Sequence, residues 1–234
     1  MKTLKFLGHS AIFLESHLGT IAAIDPWLEG NPSCPSNEKN PARIDLIVLT
    51  HGHSDHAGDT LRLALATGAT VIATYELAMI LIGEGIVAAQ IIPMNKGGTT
   101  TFKDLKVSLT NALHSSSYDS PTKGTLYAGE ACGVVIQDTK HAVYHAGDTE
   151  IFSDMKLIGE TYQPDIVCLP IGDRFTMGPE RAAKAASLIN PRWIVPIHFG
   201  ADFLPGTAEE FLNASKNLES EVKFLKPGES WQIS

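Results

Sequence analysis

The sequence predicts an α/β protein built as a four-layer αβ/βα sandwich, with two sheets packed face to face and helices on their outer faces. Three observations lead there. The chain has 234 residues, enough to bury a full core. Both halves open with consecutive short strands and close in strand–helix alternation, a pattern that buries sheets against helices. No linker and no repeat of solenoid length separates the halves, so one domain spanning 1–234 is expected.

Taken in order, "TLKFLGH", "SAIFLES" and "GTIAAID" read as three short strands of a meander. The Pro-rich "EGNPSCPSNEKNPAR" follows as a long loop, then the buried strand "IDLIVL". After residues 50–59, "DTLRLALATG" has helical spacing and a stop at Gly68. "TVIAT" is a strand, "YELAMILIGEG" a helix and "AAQIIPM" a strand. "TTTFKDLKVSLTNALH" is a hairpin turning at Lys103 and Asp104, "SSSYDSPTKGTLYAG" a second long loop, and "CGVVIQD" with "HAVYHAGD" a further hairpin. The rest alternates: helix 150–162, strand 164–172, helix 178–190, strand 192–200, helix 207–218, then strands 221–227 and 230–234.

Composition narrows the function classes. Hydrophobic residues make up 44% and charged residues 19%, which excludes a disordered chain. Asp and Glu number 26 against 18 Lys and Arg, a net charge of −8, and no basic run occurs, so no nucleic-acid partner is expected. Three cysteines without C-x-x-C spacing argue against a disulfide framework and for a reducing cytoplasm. Polar residues interrupt the apolar N-terminal segment, so it is not read as a signal peptide, and no apolar stretch of membrane length occurs.

The stretch "THGHSDHAGD", at residues 50–59, concentrates ligand chemistry directly after an apolar strand. In extended backbone His51 and His53 project to one side, Asp55 continues that register, and His56 points elsewhere. The motif therefore offers donors to two neighbouring places. Imidazole with carboxylate is a set that Zn²⁺ prefers and that Mn²⁺, Fe²⁺ or Ni²⁺ also accept. Three further candidates each end a strand and open a loop: His114, Asp148 and His198. If those edges coincide, His51, His53 and His114 hold one divalent ion. Asp55, His56 and His198 hold a second, and Asp148 bridges the two.

On these residues the sequence resembles the metallo-β-lactamase superfamily, whose H-x-H-x-D-H, His, Asp, His pattern is matched in order across nearly the whole chain. "GHS", "IDPWL" with "GNP", "PIGDRFTMGPERAAKA" and "PIHFG" resemble its small metal-dependent hydrolase branch, which includes ascorbate-phosphate lactonase-like proteins. The resemblance implies the metallo-β-lactamase fold and a two-metal centre. The best-known zinc β-lactamases carry Cys at the position of Asp148 and Arg at that of His56, so antibiotic hydrolysis is not implied. After the last histidine the branch usually shows Thr-Phe-Pro, whereas this chain reads "HFGADFLP".

Other candidates carry two readings each. Asp25 either hydrogen-bonds a ligand histidine and fixes its tautomer, as the resemblance suggests, or serves as a turn residue before Pro26. His9 contacts substrate or leaving group, or packs as a turn histidine. Arg174 either binds an anionic substrate group through its planar fork or is a solvated loop charge. His145, Met177, Cys132 and Cys168 are read as structural, His17 and His141 as exposed. The expected activity is hydrolysis of an ester, lactone or related small molecule by a metal-bridging hydroxide, with Asp55 orienting the nucleophile. The alternatives are a metallo-phosphodiesterase or nuclease and a non-hydrolytic di-metal redox or binding protein; a homo-oligomer is left open.

Overall fold

The computed structural model describes residues 1–234. Two mixed seven-stranded sheets carry the fold. The first contains β1 (Thr3–Phe6), β2 (Ile12–Glu15), β3 (Ile21–Ile24), β4 (Leu46–Val48), β5 (Thr70–Thr74), β6 (Ile91–Met94) and the last strand, β16 (Ser230–Gln232). The second contains β7 (Thr99–Phe102), β8 (Leu105–Asn111), β11 (Cys132–Gln137), β12 (Ala142–His145), β13 (Ile166–Pro170), β14 (Trp193–Ile197) and β15 (Glu221–Val222). Between β8 and β11 runs a separate hairpin, β9 (Ser117–Ser120) and β10 (Gly124–Tyr127).

Each sheet begins antiparallel and becomes parallel. In the first, β16, β1, β2 and β3 pair antiparallel and β3 to β6 parallel. In the second, β7, β8, β11 and β12 pair antiparallel and β12 to β15 parallel. Parallel strands need crossovers, and here helices supply most of them: α1 (Ser54–Ala57), α2 (Thr60–Thr67) and α3 (Tyr75–Gly83) in the first half, α4 (Met155–Tyr162), α5 (Pro179–Ile189) and α6 (Ala208–Ser215) in the second.

The packing has four layers. Leu4, Ile12, Leu14, Ile24, Leu46 and Val48 of one sheet meet Leu109, Val134, Ile136, Ile166 and Val195 of the other in a dry central core. The opposite face of the first sheet, with Ile47 and Val71, packs on Leu63, Leu77 and Leu81 of the helices. Val135, Val167 and Ile194 of the second pack on Met155, Ala182, Ala186 and Phe211. Because strands period by two, successive residues such as Ile47 and Val48 serve different cores, which is why the parallel strands are apolar throughout. The chain folds as the predicted αβ/βα sandwich.

Several boundaries differ from expectation. The segment 115–129 is a hairpin, not an irregular loop; Ser117–Ser120 pair with Gly124–Tyr127 around a turn at residues 121–123, and Gly124 leaves that turn at a φ of +73°. Helix α1 begins at Ser54, inside the motif expected to stay extended to Asp55, so Asp55 and His56 ride on a helical turn. The helix expected from 150 starts at Met155, and only Glu221–Val222 of the expected strand 221–227 pairs. Strand ends face one edge throughout the parallel portions. Carboxyl ends of parallel strands are where α/β folds place their ligands.

Candidate metal centre

That edge collects the histidines. His51 and His53 follow β4, His56 sits in α1, His114 follows β8, Asp148 follows β12 and His198 follows β14. The His51 and His53 ring nitrogens come within 3.0 Å of each other, and the His114 ring stands nearly perpendicular to both, 5.2 Å away centre to centre. A second group gathers His9, Asp55, His56 and His198, each offering one ligand atom within 4.8 Å of the others. Asp148 lies between the groups: its carboxylate is 3.1 Å from His198 Nε2, 3.4 Å from His56 Nε2 and 3.6 Å from His114 Nε2.

Hydrogen bonds behind the rings orient them. His56 Nδ1 donates to Asp25 at 2.8 Å. Thr50 donates its backbone N–H and its hydroxyl to Asp25 at 2.8 and 2.6 Å, and its Oγ1 lies 3.0 Å from His51 Nδ1, which donates to it. Both rings therefore carry a proton on Nδ1 and turn Nε2 toward the pocket. Two nitrogens bound to one tetrahedral Zn²⁺ at about 2.0–2.1 Å lie about 3.3 Å apart, so the His51–His53 spacing suits a cation between them.

Burial makes the group hard to satisfy without such a cation. His56 Nε2 and Asp148 Oδ1, which face the pocket, are buried without a hydrogen-bond partner, an arrangement that carries a cost of about 1–3 kcal/mol per group. Burial together with neighbouring His56 pushes His51 well below the usual imidazole range. For Asp148, burial opposes ionisation, but facing His56 and His198 outweigh it and hold the carboxyl well below its usual range. For His56, burial is likewise outweighed, by Asp148 and Asp25, and its proton is held well above the usual range. A buried set of convergent imidazoles and carboxylates with unpartnered atoms fits divalent metal ions.

His9 enters this group directly. Its Nε2 is 3.1 Å from Asp55, its ring centre 4.2 Å from that of His198, and its carbonyl accepts the His198 N–H at 2.8 Å. Both His9 and His198 have φ of +54°, a left-handed conformation that tightens the turn holding the two rings together. Trp27 packs its edge on His9, ring centres 5.3 Å apart. Arg174 stays outside these contacts, exposed in the loop after β13 with its guanidinium 5.2 Å over the Phe175 ring. His145 is buried in β12, its Nε2 2.9 Å from the Ser10 carbonyl. His17 and His141, expected to be exposed, are half-buried, because Asp138 draws His17 Nδ1 to 2.8 Å and the His141 N–H to 2.9 Å.

A family model described as the beta-lactamase superfamily domain matches residues 22–199, which include all seven predicted ligands. The chain belongs to the metallo-β-lactamase superfamily. Among superfamily relatives, the UPF0173 metal-dependent hydrolase of Rubrobacter xylanophilus is 45% identical over 228 residues, covering 96% of this chain and 93% of the relative. The UPF0173 metal-dependent hydrolase Mbar_A3716 of Methanosarcina barkeri is 43% identical over 229 residues, covering 96% of each. Of solved metallo-β-lactamase-like structures, Igni18, a metallo hydrolase from the archaeon Ignicoccus hospitalis, superposes with a TM-score of 0.87 at 35% identity, covering 100% of this chain and 98% of its own.

Thr50 and Trp27 escape sequence reasoning. A hydroxyl immediately before the first motif histidine is a usable signal for Thr50, since it can reach the next ring. Trp27 lies within "IDPWL", but no property of that stretch marks its ring for contact with His9. Asp59, the last acid of the motif, takes no part in the cluster: it accepts the N–H groups of Leu28 and Glu29 at 2.6 and 2.8 Å and pins their loop to α2.

Proposed function

We propose that the protein is a dinuclear metal-dependent hydrolase, one domain acting on esters or lactones of small molecules in the cytoplasm. One observation carries the reading: His51, His53 and His114 on one side and Asp55, His56 and His198 on the other converge about Asp148, whose two oxygens reach toward both sets. Divalent ions bound there, Zn²⁺ before Mn²⁺, Fe²⁺ or Ni²⁺, supply activation of water at neutral pH and polarisation of the scissile carbonyl.

The chain's own groups then divide the work. His51, His53 and His114 would hold one ion and Asp55, His56 and His198 the other, with the Asp148 carboxylate placed between the two sets. Asp25 and Thr50 keep His56 and His51 in the ligating tautomer. Asp55, part-exposed, orients the attacking water and takes its proton. His9 Nε2, 3.1 Å from Asp55, receives that proton and delivers it to the leaving oxygen. The relatives' shared name, metal-dependent hydrolase, supports this chemistry; the ester or lactone preference rests on the branch that the sequence resembles.

Metal analysis after reconstitution, combined with a panel of lactones, thioesters and phosphodiesters, tests the reading. Two ions per chain and turnover of a carboxylic ester or lactone are expected, with Asp148→Asn and His51→Ala each losing metal and rate. A reconstituted wild type that retains no transition metal ends it.

A further inference from the structure

Of the nine phenylalanines, Phe175 and Phe203 are the two exposed ones, each 52% accessible, and their rings meet edge to face 6.3 Å apart. They come from different loops. Phe203 lies five residues after His198, and Phe175 lies in the loop that follows β13. Arg174 completes the patch by lying over Phe175. Exposed aromatic rings brought together from two loops are costly to hydrate, and such patches mark binding surfaces.

The patch is fastened to the candidate metal centre by two ties, the second of which runs on to the residue before His114. Gly172 packs so closely on His198 that an added Cβ would stand 2.1 Å from its carbonyl oxygen and 3.3 Å from its Nδ1. Met177 donates its N–H to the Thr149 carbonyl at 3.0 Å, next to Asp148. Thr149 Oγ1 in turn accepts the Leu113 N–H at 2.9 Å, next to His114. Between Gly172 and Met177 the backbone passes through two successive left-handed residues, Asp173 at φ +60° and Arg174 at φ +48°. Neither is glycine, and strain of that kind persists where the surroundings impose it.

Arg174 is also a free cation. Arg43, Arg62 and Arg181 each hold a carboxylate within 2.9 Å, and Arg192 stacks on Trp193. Arg181 is engaged with Glu150 and Asp173, so it adds no second positive charge to the patch. One guanidinium fork beside an aromatic pair matches a single planar anion on a flat apolar body.

We infer that Arg174, Phe175 and Phe203 form a specificity clamp at the rim of the metal centre, selecting aryl or similarly flat esters and lactones that carry a carboxylate. This rests on the hydrolase reading above and names its substrate class. The test uses Zn²⁺-reconstituted wild type, Arg174→Gln, Arg174→Lys and Phe203→Ala, with phenyl acetate and 4-acetoxybenzoate as a neutral and an anionic ester. In wild type the kcat/KM ratio favours 4-acetoxybenzoate. That ratio falls roughly ten- to a hundredfold in Arg174→Gln and less in Arg174→Lys, which keeps the charge and loses the fork. Phe203→Ala raises KM for both esters. Metal content and melting temperature report whether each variant is folded and loaded.

Calorimetric binding of 4-hydroxybenzoate needs no turnover and tests the clamp by itself. Affinity at least tenfold weaker in Arg174→Gln supports it even if neither ester is cleaved, an outcome that would count against the ester reading alone. Equal affinity in wild type and Arg174→Gln, or an unchanged kcat/KM ratio, overturns the clamp and leaves the hydrolase reading standing.

Discussion

A single hydroxyl connects two of the ring systems in the centre. Thr50 accepts from His51 and donates to Asp25, which in turn receives His56. Replacing it by valine keeps the shape and removes both bonds, leaving the fully buried Asp25 short of a donor. Thr50→Val is expected to lose about 1–3 kcal/mol of stability in urea denaturation. It should also bind Zn²⁺ roughly 10–100-fold more weakly in competition with a chelating dye. At this scale the candidate ligands stand out in the sequence, because imidazoles and carboxylates at strand ends are chemically distinctive. Their orientation does not, since it depends on Asp25 and Thr50 meeting across β3 and β4, a contact between residues 25 apart.

Elements explain why glycine stands between the first two histidines. A Cβ on Gly52 would fall 2.8 Å from the Ser117 carbonyl and 2.9 Å from Ala128 Cβ, so the β9–β10 hairpin closes directly on the motif. Gly52 N–H is bonded to Ser116 Oγ at 3.1 Å. Gly52→Ala must therefore push the hairpin away, at a cost of about 1–3 kcal/mol. Faster proteolysis within 117–127 and weaker metal retention are the expected signs. This hairpin was hidden in the sequence because "SSSYDSPTKGTLYAG" is polar, with little apolar alternation to betray its strands. The buried strands and the helices of the second half were legible for the opposite reason: a continuous apolar run marks the former, and the Ala-rich face of α5 the latter. Helix α1 was missed because four residues are too few to show a helical period.

The whole molecule couples its stability to what it binds. Ions that bind only the folded centre stabilise it by mass action, about 2.7 kcal/mol at a hundredfold excess over Kd. Chelation should accordingly lower the melting temperature of the loaded protein by roughly 5–10 °C for each such ion, at about 2–4 °C per kcal/mol for this size. Adding Zn²⁺ back should restore it. A separate acid-sensitive lock lies at the opposite end of β12 from Asp148. Asp138 accepts from the Met1 ammonium at 2.7 Å, from His17 and from the Lys140 and His141 N–H groups. Burial alone would raise its pKa, yet those donors hold it well below the carboxylate range.

Because the unfolded chain then binds this proton more readily than the native one, the contribution of Asp138 is complete above the ordinary carboxyl pKa of about 3.9 and drains away as the pH falls below it. Asp138→Asn should be less stable at pH 7, and its stability should change less between about pH 5 and pH 2, as followed by circular dichroism. An unchanged slope would remove Asp138 from the acid response.

The pairing of β16 with β1 joins Ser230 to Lys5. During synthesis at about 5–20 residues per second, the edge of β1 therefore waits on the order of tens of seconds for its neighbour to leave the ribosome. Through that interval its backbone N–H and C=O groups are an open template for another nascent chain. Slower elongation lengthens that exposure, so the soluble yield of cell-free synthesis should fall as elongation is slowed and recover when a chaperone that covers β1 is added.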